Sequence, residues 1–389
     1  MPPIAPHPSS APPWHILDVG SPWIKEFAHS LHSLTPLHSW CPDHRIFGHF
    51  EDWQRPEFYP DPPLRLIRFP MQRGYSRFPL NRLLPYGPAL VNRMLRDSAV
   101  AHRATLLCTA PYYAPLAEAW PGPVVYYLTD LTKKYDGADS RQVVDLDRRM
   151  ARIARAVHPN SESIAAYLRD EAGCPASKIT VIPNATRAAN IPAQPLLAPQ
   201  PLPADVADLP RPVIGIIGNL AANIDWPLVS AAIALCRDVT WIFIGPYTMP
   251  VRDPHHSELR RALLATHNTP SSRVRFLGSR PYPALAAYAR SFDVALIPYA
   301  NAEPTISGSA TRFYEHLAAC RPILATPFHR ELATKEPFVK LVSTANQIAA
   351  AIESLRATGF RDGLESSRWT EAHKNTWTVR AKTIFETSL

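Results

Sequence analysis

The chain has 389 residues, enough for two domains with separate cores, and its 41 basic and 33 acidic side chains give a net charge of +8 at pH 7. No apolar run reaches the roughly eighteen residues of a membrane-spanning helix, and the start lacks the charged and apolar regions of a signal peptide. Five scattered cysteines without CxxC spacing indicate a reduced, cytoplasmic protein without structural zinc.

The positive charge suits anionic ligands or peripheral contact with the anionic inner leaflet of a membrane, although a solvated basic face is an equally simple explanation. Much of the basic excess lies in the first half of the chain, for example at Arg73, Arg77 and Arg82. No basic stripe is interleaved with stacking aromatic residues, so we expect no nucleic-acid partner.

The chain is predicted to begin with a disordered proline-rich leader, residues 1–13, followed by an α/β domain over residues 14–190. Strands of this domain are predicted at His15–Val19, Leu64–Phe69, Thr105–Thr109, Val124–Leu128, Ala156–Pro159 and Ile179–Ile182. Helices are predicted at Leu80–Arg96, Asp139–Arg155 and Ser161–Ala172, the last with Ser161 as its N-cap.

A proline-rich stretch, residues 191–210, is predicted to be an extended linker to a second domain over residues 211–365. Its predicted strands are Val213–Gly218, Thr240–Gly245, Val274–Leu277, Asp293–Pro298, Pro322–Ala325 and Phe338–Leu341. Its predicted helices are Asp225–Cys236, Ser257–Ala265, Pro283–Ser291, Thr311–Ala319 and Asn346–Ala357. This alternation predicts a parallel, doubly wound sheet. Residues 366–389 are predicted to form a final helix.

The most informative segment follows the apolar strand Asp293–Pro298. Ser307, Gly308 and Ser309 lead into a helix that carries Arg312 and Glu315. A Gly/Ser loop before a helix presents free N–H groups and a positive dipole end at the carboxyl edge of the sheet, where α/β proteins bind phosphates. Arg312 adds a cation, and Glu315 offers a carboxylate to paired hydroxyls. Diphosphate and sugar hydroxyls together are what a nucleotide-sugar presents.

The stretch from Ser309 to Pro322, SATRFYEHLAACRP, resembles the donor-site helix of the retaining GT-B glycosyltransferases of the family 4-like group. The usual pattern there is Ser-Pro-x-Lys-x-x-Glu-Tyr-Leu-Ala-x-Gly-x-Pro. The resemblance implies the α/β GT-B fold, in which two Rossmann-like domains with doubly wound parallel sheets face a cleft and the last helix crosses back to the N-terminal, acceptor-side domain. It also implies that Glu315 binds the donor ribose, while Arg312 and the N–H groups near Ser309 and Ala310 bind the diphosphate.

The chain departs from the family pattern at three positions. Arg312 replaces the usual Lys, which is benign because a guanidinium also grips phosphate oxygens. Cys320 replaces a usual Gly. Ser307 stands where many members carry a second glutamate near the transferring sugar. Glu303 is the only carboxylate between the preceding strand and Ser307, so we predict that it takes over a sugar contact.

Further binding candidates of the second domain lie at predicted strand ends. They are Gly218, Asn219, Gly245, Arg280 and Tyr282. The N–H groups after Gly218 would face the diphosphate or the sugar, although an ordinary strand-to-helix turn fits equally well. The resemblance places Gly245 beside the nucleotide base and makes Arg280 and Tyr282 candidates for the base pocket, with a solvent-facing turn as the alternative.

The first domain has two candidates at strand ends. Gly20 would let the backbone approach a sugar phosphate. Asp130 would bind an acceptor or donor hydroxyl, where the matching family segment commonly has an Asp pair; a turn or helix cap is the alternative.

These residues predict a glycosyltransferase that moves a sugar from a nucleoside-diphosphate-sugar to a hydroxyl of a glycan or lipid-linked acceptor, with retention. We expect no cofactor and no metal, because no loop carries a D-x-D motif of the metal-dependent type; the one D-x-D spacing, Asp145-Leu146-Asp147, lies within the predicted helix Asp139–Arg155. G-x-S-x-G, H-E-x-x-H and Walker motifs are also absent. Two alternatives remain: a catalytically degraded GT-B protein that only binds nucleotide, and a nucleotide-sugar epimerase on the same scaffold.

Overall fold

The computed structural model describes residues 12–43, 57–60, 63–70, 86–96, 103–135, 138–248, 251, 253–267, 269, 272–303 and 305–389. The chain divides into two compact units, the first comprising Met1–Pro183 and Trp377–Leu389, the second Asn184–Thr376. Each unit has its own buried apolar core. No helix in the described part of the chain is long and apolar enough to cross a membrane. The predicted leader, apart from Pro12 and Pro13, and the arginines at 73, 77 and 82 lie outside the described residues.

The first unit is built on a sheet that is parallel except at one edge. Its strands are β1 (Trp14–Ile16), β2 (Leu37–Asp43), β3 (Glu57–Pro60), β4 (Pro63–Pro70), β5 (Thr105–Cys108), β6 (Val124–Leu128) and β7 (Ala156–Pro159). Their order is β3-β4-β2-β1-β5-β6-β7, and only β3 pairs antiparallel, with β4. The direction of strand addition therefore reverses between β1 and β5.

Helices cover this sheet and bury its apolar strands. They are α1 (Pro22–His32), α2 (Tyr86–Arg96), α3 (Ala114–Ala119), α4 (Ser140–Ile153), α5 (Glu162–Asp170) and, from the end of the chain, α12 (Trp377–Thr387). The predicted cap of α5 is confirmed, since the N–H of Ile164 donates to Ser161 Oγ at 3.2 Å. A buried carboxylate ties α4 to the sheet and to α5, because Asp147 accepts hydrogen bonds from the hydroxyls of Tyr126 and Tyr167.

The prediction from the sequence was wrong for several elements of the first unit. Helix α1 and strands β2 and β3 were not predicted, because proline, histidine and tryptophan obscure their periodicity. The strand predicted at Ile179–Ile182 does not form. That segment runs beside β7 with backbone bonds from Thr180 and Ile182, but only a single isolated bridge, between Val157 and Ile179, results.

The second unit is a fully parallel sheet in the predicted order along the chain. Its strands are β8 (Val213–Ile217), β9 (Thr240–Ile244), β10 (Val274–Phe276), β11 (Val294–Ile297), β12 (Ile323–Ala325) and β13 (Lys340–Leu341). Its helices are α6 (Trp226–Leu235), α7 (Pro254–Thr266), α8 (Leu285–Ser291), α9 (Thr311–Ala318), α10 (Ala345–Ala357) and α11 (Glu365–Lys374). The strand order is β10-β9-β8-β11-β12-β13. The prediction of two α/β domains with doubly wound sheets is confirmed.

The single helix predicted over residues 366–389 is two helices, α11 and α12. The break falls at Asn375, whose side-chain amide donates to the carbonyl oxygen of Glu371 at 2.8 Å. The chain passes from the second unit to the first directly after this break. Helix α12 then packs on the first unit, with the rings of Phe385 and Trp14 5.8 Å apart.

Candidate functional site

The second unit has a topological switch point between its central strands. Strands β8, β9 and β10 are added in one direction and β11, β12 and β13 in the other, so the order reverses between β8 and β11. Gly218 follows β8 and Tyr299 follows β11, and both lie at the carboxyl edge. In open α/β sheets, ligands bind outside the carboxyl ends of the strands at such a point.

Two glycines let the backbone and a side chain meet closely at this switch point. Gly218 has φ +135°, and a Cβ placed on it would lie 1.6 Å from Nε of Arg312. Gly245 has φ +143°, and its Cβ would lie 1.7 Å from the carbonyl oxygen of Gly218. Both backbone conformations are nearly restricted to glycine. The fold therefore brings together three residues that the sequence had singled out separately.

The Arg312 guanidinium is held in place from two sides. Its Nε donates to the carbonyl oxygen of Ile217, and its Nη1 donates to the Tyr299 hydroxyl at 2.6 Å. The guanidinium also lies over the Tyr299 ring, 5.4 Å from its centroid. Burial lowers the pKa of His329 to about 4 and that of His316 to about 3, so both neighbours of Arg312 are neutral at physiological pH. The result is a fixed cation whose charge is not reinforced by either imidazole.

The amino end of α9 carries an internal carboxylate. The N–H of Ala310 donates to Oε2 of Glu331 at 2.6 Å, and Ser309 Oγ donates to the same oxygen at 2.9 Å. The Tyr314 hydroxyl donates to Oε1, and Lys335 Nζ lies 3.5 Å from it. The predicted diphosphate contact at Ala310 is thus made by Glu331 in this structure. A phosphate that used this N–H would have to replace that carboxylate.

Glu315, one turn further along α9, is buried among neutral donors. The hydroxyl of Tyr282 donates to Oε1, while Asn190 Nδ2 and Thr186 Oγ1 donate to Oε2 at 2.9 and 3.3 Å. The residue is only 9% exposed. These hydrogen bonds therefore fix the orientation of the carboxylate, and all three of these partners are uncharged. The two candidates Glu315 and Tyr282 are brought into direct contact.

The position of the missing family glutamate has a carboxylate beside it. Ser307 Oγ donates to Oε2 of Glu303 at 2.6 Å. Arg330 donates from Nη1 to Ser307 Oγ at 2.8 Å and from Nη2 to Glu303 at 3.2 Å. Glu303 thus contacts Ser307, the position where many family members carry the glutamate, although it lies four residues earlier in the chain.

The remaining candidates of the second unit divide into two groups. Arg280 donates to the carboxylate of Asp205 at 2.8 Å and to the Tyr288 hydroxyl at 3.2 Å, so its side chain ties its loop to the proline-rich segment. Asn219 is exposed directly after Gly218, and Gly308 is partly exposed before Ser309.

The candidates of the first unit lie at the ends of β1 and β6. Gly20 is exposed beside Asp18, whose φ of +64° is unusual for a residue other than glycine. Asp130 follows β6 and its side chain reaches solvent. Desolvation by the surrounding protein groups raises the pKa of Asp130 to about 6, against hydrogen bonds from Tyr135 and Thr129 that lower it. Such a carboxyl titrates near pH 6, above the usual range of an aspartate.

Sequence reasoning missed several residues that shape the second unit's site. They are Asn184, Thr186, Asn190, Tyr299, Arg330 and Glu331. Tyr299 could have been found, because it directly follows a predicted strand at the switch point. The others lie in loops without a recognisable spacing. Within the described residues, no group of three His, Cys, Asp or Glu side chains is arranged to hold a metal ion.

Comparison with known proteins gives the fold an identity. Residues 29–185 match the family described as glycosyl transferase 4-like domain. HepE from Anabaena, solved with UDP-glucose, aligns over 97% of this chain and 99% of its own with a TM-score of 0.68 and 17% identity. The chain has the GT-B glycosyltransferase fold. The predicted resemblance to the family 4-like group is confirmed for residues 29–185, and the predicted GT-B fold is confirmed for the chain.

Two other solved structures are similar to this GT-B chain. The UDP-forming α,α-trehalose-phosphate synthase from Burkholderia vietnamiensis has a TM-score of 0.65 at 13% identity and covers 97% of this chain and 98% of its own. WaaG, a glycosyltransferase involved in lipopolysaccharide biosynthesis, has a TM-score of 0.59 at 11% identity and covers 97% and 99%. A search of curated proteins found no match.

Proposed function

We propose that the protein transfers a sugar from a nucleoside-diphosphate-sugar to a hydroxyl of a glycan or lipid-linked acceptor. The observation that carries the proposal is the arrangement at the switch point of the second unit. Arg312 is fixed there against Gly218, and Glu315 lies three residues further along the same helix. A cation followed at one helical turn by a carboxylate matches a diphosphate joined to a ribose.

The leaving nucleoside diphosphate gains negative charge as the bond to the sugar breaks. A preorganised cation and N–H donors stabilise such charge without reorganising during the reaction. We propose that Arg312 supplies this stabilisation and that the transfer needs no metal, so that activity survives EDTA. Retention of the anomeric configuration, which the resemblance to the retaining group supports, is tested by the anomeric proton signal of the product.

A panel of UDP- and GDP-sugars tests the proposed function. Release of free nucleotide together with a glycosylated product would support transfer. An isomerised donor would instead point to an epimerase, and nucleotide binding without turnover would point to a degraded enzyme. The degraded-enzyme outcome gains weight from Ser307, because the family glutamate is missing there.

We expect Glu303 to serve the transferring sugar in place of that glutamate. Glu303→Gln should lower kcat by roughly 10- to 150-fold, because a charged hydrogen bond to a sugar hydroxyl is worth about 1.5–3 kcal/mol. Its affinity for the free nucleoside diphosphate should not change, since that ligand has no sugar at this position. Equal losses for donor and free nucleotide would show that Glu303 only supports the loop.

Activity should depend on the protonation of Asp130, which we propose binds an acceptor hydroxyl. Because its pKa is raised to about 6, the carboxylate form is gained as the pH rises through that value. The KM for the acceptor should therefore fall between about pH 5 and pH 7. Asp130→Asn should weaken acceptor use and flatten this part of the pH profile. A wild-type-like pH profile in Asp130→Asn would exclude the role.

A further inference from the structure

A short polar segment, Asn184–Asn190, contacts the proposed donor helix at both ends. It opens the second unit, directly after the chain leaves the first. Three of its side chains hydrogen bond to residues 125 to 129 positions later in the chain. The segment has no helical or strand periodicity, and its only regular structure is a short 3-10 turn, Ala188–Asn190.

Asn184 fixes the start of α9. Its backbone N–H donates to Ser309 Oγ at 2.9 Å, and its Nδ2 donates to the carbonyl oxygen of Ser309 at 2.9 Å and to Thr311 Oγ1 at 2.7 Å. Asn184 is 5% exposed. Asn184 therefore holds the backbone that precedes Arg312. It precedes α9 in the chain, whereas Glu331, which also bonds to this backbone, follows it.

Thr186 and Asn190 fix the carboxylate of Glu315. Both donate to the same oxygen, Oε2, and both are buried, at 0% and 4% exposure. Asn190 is itself anchored, since its carbonyl oxygen accepts a hydrogen bond from Arg290 Nη2 at 2.6 Å. The backbone of Thr186 is fixed as well, because its N–H donates to the carbonyl oxygen of Asn375 at 3.0 Å.

We propose that Asn184, Thr186 and Asn190 are positioning residues of the donor site, with two separable roles. Thr186 and Asn190 orient Glu315 toward the ribose, and Asn184 orients the start of α9 toward the diphosphate. The inference rests on the proposed function, because it assigns ribose and diphosphate to these two parts of α9. Orientation matters here because a hydrogen bond prefers a donor–hydrogen–acceptor angle above about 150° and weakens steeply below about 120°.

The test measures binding of UDP, 2′-deoxy-UDP and UMP, or the guanine counterparts if the wild type prefers GDP, by calorimetry on the full chain. Asn190→Ala and Thr186→Val should reduce the preference for UDP over 2′-deoxy-UDP roughly five- to tenfold, with the UDP-to-UMP ratio nearly unchanged. Asn184→Ala should reduce the preference for UDP over UMP and leave the preference for UDP over 2′-deoxy-UDP nearly unchanged. Asn346→Ala, at an exposed position of the same unit, is the matched control and should alter neither ratio.

The possible results distinguish a failure of this inference from a failure of the proposed function. If the wild type binds neither UDP nor GDP, the proposed function fails and the inference fails with it. If the wild type binds and Glu315→Gln loses the ribose preference while Asn190→Ala and Thr186→Val keep it, only the inference is wrong. Melting temperatures accompany each titration, and losses of both ratios that merely follow a lowered Tm would also overturn it.

Discussion

Glu315→Ala should weaken nucleoside diphosphate binding by roughly 1.5–3 kcal/mol, or about 10- to 150-fold, because it removes charged hydrogen bonds to the ribose. The structure adds a second consequence. Tyr282, Asn190 and Thr186 all donate to this buried carboxylate and would lose their acceptor together. We therefore expect Glu315→Ala to lower the Tm as well, since buried donors left without partners are costly.

Glu315→Gln separates the two effects. It keeps the volume and one acceptor oxygen, so most of the stability should remain while the charge is lost. Calorimetry with UDP and GDP, together with thermal unfolding, measures both quantities. Unchanged affinity in Glu315→Ala would show that the ribose lies elsewhere.

Gly218→Ala should weaken diphosphate binding strongly although it adds only a methyl group. The new Cβ would overlap the Arg312 guanidinium, at 1.6 Å from Nε. The alanine would also have to adopt the φ of Gly218, +135°. The strain costs about 1–3 kcal/mol of stability. Displacing Arg312 removes the cation from the phosphate, so the loss of affinity should approach that of Arg312→Ala, roughly 1.5–3 kcal/mol.

A double-mutant cycle makes this prediction sharp. Once Arg312 is alanine, the methyl group at 218 no longer meets a guanidinium, so the double variant should bind little worse than either single variant. Gly359→Ala is the matched control, because Gly359 also has positive φ, at +64°, but nothing lies within 4 Å of its Cβ. It should lose some stability and no affinity. Additive losses in the cycle would mean that Gly218 and Arg312 act on the ligand independently.

The architecture was largely predictable because local patterns dictate it. Short apolar runs such as Val213–Ile217 and Thr240–Ile244 are typical of strands in a sheet that is covered on both faces, and the helical patterns between them favour parallel pairing. The prediction failed where tertiary contacts decide. The run at Ile179–Ile182 has strand composition, yet it makes only an isolated bridge beside β7.

The candidate site was predictable in part for the same reason. Arg312 and Glu315 share one face of α9 because three residues make nearly one helical turn, so their pairing follows from the sequence. The partners that fix them do not. Arg312 is held by Ile217, 95 residues away, and Glu315 by Asn190, 125 residues away. Nothing in the spacing of those residues reveals the contact.

By itself, then, the amino-acid sequence determined the order of strands and helices, the parallel sheets and the helix that carries Arg312 and Glu315. These properties depend on residues close together in the chain. Only the tertiary structure decided that Glu331 caps this helix, that Glu303 lies at Ser307 and that Gly218 receives the guanidinium. Such contacts arise because the strand order brings the ends of β8, β11 and β12 to one edge, and no local pattern encodes which loops meet there.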